Sequence, residues 1–265
     1  MIMKNCILVL CLLLISGCGE IHHITHPDRK EIAAHTVHLV DTYITNENNN
    51  FLFRGSDPVL RSSGFAYEQL VDLMKTDAKR KGVTLPDDFY LIDVNLLFFE
   101  KADILVERQY FDQYPERGEF VNYPVFGHIG GNKFERTIHI ADKGTQFIRH
   151  FLSYPIFGVL ERIFKDVEKA EQALTDLDIK AVHGLRGLLT QKRDKPIVVY
   201  VHCVGGCDRT GEIVGAYRMQ YMREEIQTVF DKNTQECGRN ENIYSVDSLK
   251  AYCRYLGRKD CEIAI

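Results

Sequence analysis

One segment constrains the fold of this chain more than any other. Residues 195–201 form a run of β-branched and aromatic residues that is typical of a central β-strand. The next ten residues contain a glycine pair, and beyond Gly211 apolar side chains recur at helical spacing to about Phe230. Strand and helix patterns also alternate upstream of this segment, which favours an α/β domain. We therefore expect a central, mostly parallel sheet flanked by helices.

The composition excludes several classes of protein. The chain has 265 residues, of which 45% are hydrophobic and 26% charged, so disordered, collagen-like and coiled-coil proteins are excluded. It carries 33 Lys and Arg against 37 Asp and Glu, a net charge of -4. Because nucleic-acid binding usually requires a basic surplus, we expect no nucleic-acid partner.

The N-terminal segment is typical of a secretory signal. Lys4 precedes an unbroken apolar run over residues 6–15, which is too short to cross a bilayer and is followed by small residues. Residues 15–18, Ile-Ser-Gly-Cys, resemble the lipobox of bacterial lipoproteins, in which the cysteine carries lipid. That resemblance implies an exported protein anchored to the bacterial envelope through Cys18. An ordinary signal peptide or a buried strand is the alternative.

The sequence predicts that the chain is divided into three parts. Residues 1–17 are the expected lipoprotein signal peptide, residues 18–50 a tether, and residues 51–265 the folded domain with a C-terminal extension. The tether contains five histidines, but no cysteine or acidic set accompanies them at a recognisable metal spacing. We expect neither a metal nor a cofactor.

The segment from His202 to Gly211 has the chemistry of an anion site. A strand, a glycine-containing loop and a helix N-terminus together direct main-chain N–H groups and the helix dipole toward a bound anion. The guanidinium of Arg209 can bind two phosphate oxygens at once. In such surroundings the pKa of the Cys203 thiol is expected to fall, which makes its thiolate a nucleophile.

The same residues resemble the signature loop of cysteine-based phosphatases, the protein-tyrosine and dual-specificity superfamily. The match consists of His202-Cys203, five residues, and Arg209-Thr210-Gly211. The resemblance implies a dual-specificity type of fold, a cysteinyl-phosphate formed on Cys203, and binding of the phosphoryl group by Arg209. It also implies that Thr210 hydrogen-bonds the sulfur and that His202 orients the loop from behind. The phosphate-binding positions are then Val204, Gly205, Gly206, Cys207, Asp208 and Arg209.

The general acid has several candidates. Asp208 precedes the signature arginine, as it does in myotubularin-like lipid phosphatases and a group of bacterial tyrosine phosphatases, where that aspartate is proposed to take part in acid–base chemistry. Asp176 and Asp178 lie about 30 residues before the nucleophile, where the superfamily commonly carries its acid, although this segment can equally cap a helix. We favour Asp208, and Asp142 is a distant alternative.

The remaining cysteines leave two questions open. Cys207 either forms a reversible disulfide that protects Cys203 or is simply a small residue in a tight loop. Cys237, Cys253 and Cys261 lie near the C-terminus, and in an exported protein a disulfide among them is plausible.

The sequence thus predicts an enzyme that hydrolyses phosphomonoesters on a phosphorylated protein or a small molecule. The second interpretation is a phosphoinositide or inositol phosphate phosphatase, although residues 204–207 contain no cationic side chain to bind additional phosphates. A catalytically inactive phosphate-binding module is the third. Residues 53–58, Phe-Arg-Gly-Ser-Asp-Pro, look like the opening of bacterial dual-specificity-like enzymes and place Arg54 near the start of the domain.

Overall fold

The structure is a computed structural model. It describes residues 29–44, 49–60, 64–97, 101–125 and 167–262. The predicted signal peptide, Cys18 and Asp142 lie outside the described residues.

Seven strands are present in the described part of the chain. They are β1 (His38–Ile44), β2 (Asn49–Ser56), β3 (Val59–Leu60), β4 (Gly64–Phe65), β5 (Tyr90–Asn95), β6 (Gly118–Asn122) and β7 (Ile197–Cys203). Five of them form one sheet in the order β1-β2-β7-β5-β6, and β3 pairs with β4. Strands β2, β7, β5 and β6 run parallel, while β1 joins β2 antiparallel at the edge.

Helices cover the sheet. They are α1 (Tyr67–Arg80), α2 (Lys101–Gln113), α3 (Val167–Leu189), α4 (Asp208–Tyr217), α5 (Ile226–Cys237) and α6 (Ile243–Tyr255), with a 3-10 turn at Ala34–Thr36 and a π-helical turn at Arg218–Met222. The predicted mostly parallel α/β sheet flanked by helices is confirmed. Within the described ranges, none of these helices combines the length and the hydropathy needed to cross a bilayer.

The central strand β7 divides the core into two layers. Val199, Val201 and Cys203 belong to a cluster with α3, α4 and α5, whereas Val198 and Tyr200 belong to a cluster with α1. Because successive side chains of a strand point to opposite faces, Cys203 and its neighbour His202 must lie on opposite sides of the sheet.

Some elements differ from the sequence-based expectations. The tether was expected to continue to residue 50, but residues 38–44 form β1, whose register is fixed by pairing with β2. The single amphipathic helix predicted after Gly211 is broken, because Arg223 adopts a left-handed conformation (φ 61°) after the π-helical turn. A helix expected to begin near residue 178 already runs through residues 167–189.

Candidate active site

The catalytic candidates lie where β7 enters α4, at the carboxyl edge of the parallel strands. Cys203 is the last residue of β7 and is 3% exposed. It is the one unpaired cysteine in the described part of the chain. Arg209 is the second residue of α4 and is half-buried, so the two side chains flank the loop of residues 204–207.

The loop turns through Gly206. Its φ of 70° is a conformation that residues with a side chain seldom adopt. A Cβ at this position would also lie 2.5 Å from the carbonyl carbon of Gly55 and 2.6 Å from the main-chain nitrogen of Ser56. Both contacts are with backbone, so only glycine lets the loop approach β2 this closely.

The carbonyl groups of the loop are held by the surrounding fold. The Val204 oxygen accepts from the main-chain N–H of Asp57 at 3.3 Å, and the Cys207 oxygen accepts from the N–H of Gly211 at 2.7 Å. The Gly206 oxygen accepts from Nη2 of Arg54 at 2.8 Å. Since the C=O and N–H of one peptide unit point in opposite directions, the N–H groups that follow these carbonyls point away from Asp57, Arg54 and Gly211. They are candidate donors to an anion.

Arg54 connects the loop to α5. Its side chain is fully buried, and Nη1 donates to Asn233 Oδ1 at 2.6 Å and to Glu236 Oε2 at 2.9 Å, while Nη2 holds Gly206. Burial opposes ionisation of Glu236, but Arg54 and Arg218 outweigh it and lower the pKa of Glu236 to about 2. The buried guanidinium is thus balanced by a carboxylate and keeps its hydrogen bonds.

A disulfide makes a second connection between the same loop and α5. Cys207 is bonded to Cys237 at the end of α5, and Cys253 is bonded to Cys261. Neither sequence-based alternative for Cys207 is therefore complete. Its disulfide is with Cys237 and not with Cys203, and it is more than a small residue in a tight loop. The predicted disulfide among the last three cysteines is present as Cys253–Cys261.

His202 and Thr210 lie behind the loop. His202 is completely buried, and its ring stacks on Tyr200 with centroids 5.5 Å apart. Thr210 is also completely buried, but its Oγ1 forms no hydrogen bond within the described residues, so the hydrogen bond to the Cys203 sulfur that the resemblance implies is not among the described contacts.

Asp208 forms an ion pair at the rim of the loop. Both of its oxygens accept from Arg239, at 3.0 and 2.7 Å, and Oδ1 also accepts from the main-chain N–H of Asn242 at 2.8 Å. Burial acts to raise the pKa of Asp208, but these hydrogen bonds outweigh it and hold the pKa below its usual value. The hydrogen bond to Asp208 in turn raises the pKa of Arg239, and a negative charge on Cys203 acts in the same direction. Arg239 is therefore a second guanidinium at the rim of the loop, beside Asp208, which sequence reasoning missed.

The alternative acids are placed on α3. Asp178 is 5% exposed, and it faces Glu212 of α4. Burial raises the pKa of Asp178 to about 7 and that of Glu212 well above its usual value. Asp176 is exposed. The structure thus puts Asp178 inside a helix–helix contact rather than on the separate loop that was expected for a general acid.

Comparisons with known proteins give phosphatase neighbours of low similarity. No protein-family model and no curated protein matches the chain. A solved structure of a leucine-rich repeat and phosphatase domain containing protein from Entamoeba histolytica matches with a TM-score of 0.38 and 12% identity, over 84% of this chain and 94% of that chain. The PTP-2 phosphatase of Cydia pomonella matches with a TM-score of 0.30 and 10% identity, over 79% and 88%. Both TM-scores are below 0.5, so the function proposed below is drawn from the residues of this chain.

The role of Arg54 can be tested by stability. Arg54→Met removes the bonds to Gly206, Asn233 and Glu236 inside the fold, and we expect the free energy of unfolding to fall by about 3 kcal/mol. Urea denaturation measures this change. The matched control is Arg254→Met, which breaks a 2.9 Å ion pair with Glu262 whose side chains are 53% and 76% exposed, and should cost less than about 1 kcal/mol. Equal losses in the two variants would show that Arg54 does not anchor the loop.

Proposed function

We propose that this protein is a cysteine-dependent phosphomonoester hydrolase of the protein-tyrosine or dual-specificity type. The observation that carries this proposal is the loop of residues 204–207, which joins Cys203 to the N-terminus of α4 and whose Val204, Gly206 and Cys207 carbonyls are held by the fold, so that the N–H groups that follow them point the other way. A phosphoryl group in such a loop meets several donors, the N-terminus of α4 and a guanidinium. An intact nucleophile and an intact arginine argue against an inactive binding module.

The reaction proceeds in two displacements. The Cys203 thiolate attacks phosphorus, an S–P bond forms, and the P–O bond to the leaving group breaks. The leaving oxygen takes a proton from a general acid. Water then attacks the cysteinyl-phosphate and gives a proton to the carboxylate that the general acid left behind, while the S–P bond breaks, the electron pair returns to sulfur and inorganic phosphate leaves. Arg209 and the loop N–H groups stabilise the charge on the equatorial oxygens in both steps.

Asp208 is our proposed general acid, and its ion pair sets the condition under which it acts. In the free protein Arg239 favours the carboxylate form. A phosphate dianion in the loop repels that carboxylate and competes for the guanidinium, so substrate binding raises the pKa of Asp208. The proton is then available in the complex, beside the leaving oxygen.

Inositol phosphates are the alternative substrate class. Inositol phosphates carry several anionic groups, and the residues between Cys203 and Asp208 supply no cation of their own. Arg239 supplies one from outside the motif, next to Asp208. Turnover of phosphotyrosine peptides against inositol phosphates distinguishes the two substrate classes.

We further propose that the protein is exported and lipid-anchored through Cys18. The two disulfides, Cys207–Cys237 and Cys253–Cys261, support an oxidising compartment, because such bonds seldom persist in the cytosol.

The nucleophile is tested with Cys203→Ser. Hydrolysis of an aryl phosphate should fall at least about 1,000-fold, because the covalent step is lost. Acid quenching during turnover of a radiolabelled substrate should trap phosphate on the wild type and none on the variant. The double variant Cys253→Ser, Cys261→Ser removes a distant disulfide and should keep the trapped phosphate. Equal rates in Cys203→Ser and wild type would refute the proposed nucleophile.

The general acid is tested by the pH dependence of turnover. A proton donor is lost as the pH rises through its pKa, so kcat of the wild type should fall at high pH, which is the basic limb of its pH profile. Since kcat reports the substrate complex and kcat/KM the free protein, the fall in kcat that is due to Asp208 should lie at a higher pH than the fall in kcat/KM. Asp208→Asn should remove that limb and lower kcat by about 100-fold. Asp178→Asn should keep the limb. If the limb survives in Asp208→Asn and disappears in Asp178→Asn, the assignment is wrong.

The anchor is tested by phase partition. The wild type expressed in a bacterium should enter the detergent phase of a cloud-point extraction, and Cys18→Ala should move to the aqueous phase, because the acyl chains provide the apolar surface. Cys203→Ser is the matched cysteine control and should remain in the detergent phase. A Cys18→Ala protein that still partitions into detergent contradicts acylation.

A further inference from the structure

A buried carboxylate cluster lies behind the loop, on the α1 side of the sheet. It contains His202 of β7, Asp93 of β5, Glu107 of α2 and Asp57, which follows β2, and each is at most 1% exposed. Nε2 of His202 is 3.1 Å from Asp93 Oδ1 and 3.8 Å from Glu107 Oε1. One ligand atom each from Asp57, Glu107 and His202 lie within 4.8 Å of one another. We call these four residues the rear cluster.

The cluster carries more acid than base. Three carboxyl groups face one imidazole, and Asp103 of α2 adds to the negative field at Asp57. Arg29 places a guanidinium at one member, with Nη1 3.5 Å from Asp57 Oδ2. Neutral donors are also few, since Asp57 Oδ1 accepts from the N–H of Val59 at 2.8 Å and Glu107 Oε2 accepts from Asn95.

Several atoms of the cluster make no hydrogen bond with any described residue, although His202 and Asp93 are in contact. Within the described residues, neither oxygen of Asp93, neither ring nitrogen of His202, nor Oε1 of Glu107 makes a hydrogen bond, although all are buried. A buried carboxylate or imidazole that makes no hydrogen bond destabilises the folded state. Something must neutralise this group, either protons or a cation.

The spacing can accommodate a cation. Ligand atoms about 2.1 Å from one metal ion are about 3.0 Å apart in octahedral and about 3.4 Å apart in tetrahedral geometry. The 3.1 Å from His202 Nε2 to Asp93 Oδ1 matches the octahedral value, and the 3.8 Å to Glu107 Oε1 has to shorten when an ion binds. A single ion can satisfy several lone pairs at once, whereas each proton serves only one pair of atoms.

We propose that His202, Glu107 and Asp57 bind a divalent cation, with Asp93 as a further oxygen ligand or as the partner of the imidazole. One imidazole nitrogen with carboxylate oxygens suits Mn²⁺ or Zn²⁺ better than a thiolate-preferring ion. The ion has a structural role, because it lies on the opposite side of β7 from the Cys203 side chain. The ion fixes two residues. One is His202, which precedes Cys203 in β7, and the other is Asp57, whose N–H donates to the Val204 carbonyl.

The experiment uses Mn²⁺ as the probe, because it has little affinity for the Cys203 thiol. The purified full-length protein is treated with chelator, dialysed, and titrated with Mn²⁺ while free Mn²⁺ is followed by its paramagnetic resonance signal. We expect one ion per chain and a higher midpoint of thermal unfolding with Mn²⁺ than without it. Cys203→Ser should bind equally well. A parallel titration measures Zn²⁺ binding to the Cys203→Ser variant. The proposal is overturned if the wild type binds no Mn²⁺ and the variant binds no Zn²⁺.

The ligands are tested with two variants and one control. Glu107→Gln and Asp57→Asn should each weaken Mn²⁺ binding by about 10–100-fold or more, since one ligand is lost. Glu212→Gln removes another fully buried carboxyl, on the opposite face of the sheet, and should bind as wild type does. Circular dichroism of each variant establishes that it is folded before titration. Wild-type affinity in both folded ligand variants would contradict the site. Since the readout is metal binding, the result is independent of phosphatase activity.

Discussion

The buried guanidinium of Arg54 is the contact on which the geometry of the loop depends. It lies in β2, yet its bonds reach the Gly206 carbonyl of the loop and the acceptors Asn233 and Glu236 on α5. By holding the Gly206 carbonyl, it directs the N–H of Cys207, in the same peptide unit, to the opposite side. The Cys207–Cys237 disulfide joins the same loop to the same helix covalently. The hydrogen bonds of Arg54 and the disulfide therefore both hold the loop in place. This lowers the free-energy cost of arranging the loop around an anion.

The alternation of side chains along β7 separates two electrostatic environments. On one side of the sheet Cys203 faces the helix layer of α3 and α4, and Arg209 lies in the first turn of α4. On the other side His202 faces three carboxyl groups. A cluster of uncompensated negative charge behind the loop would oppose the binding of a phosphate dianion in front of it. The proposed cation in the rear cluster and the proposed anion site in the loop therefore lie on the two faces of a single strand.

The rim of the loop brings together charges from distant parts of the chain. Arg239 follows α5 directly, and the left-handed Gly238 and the disulfide at Cys237 fix its starting point. Its ion pair with Asp208 means that the proposed acid and the second cation respond to each other. An incoming anion perturbs both, because it attracts one and repels the other.

Part of this protein could be predicted from local sequence. The β7 pattern, the glycine loop and the start of α4 are contiguous, and their periodicity and glycine content specify strand, turn and helix. The positions of Cys203 at the end of β7 and of Arg209 at the start of α4, and the α/β class, therefore follow from the sequence alone. Only the tertiary structure decided the partners of these residues. The pairing of Cys207 with Cys237, the ion pair of Asp208 with Arg239, the bonds of Arg54 and the place of β1 in the sheet join residues that are distant in the chain. Such contacts depend on how elements pack, and no local pattern encodes them.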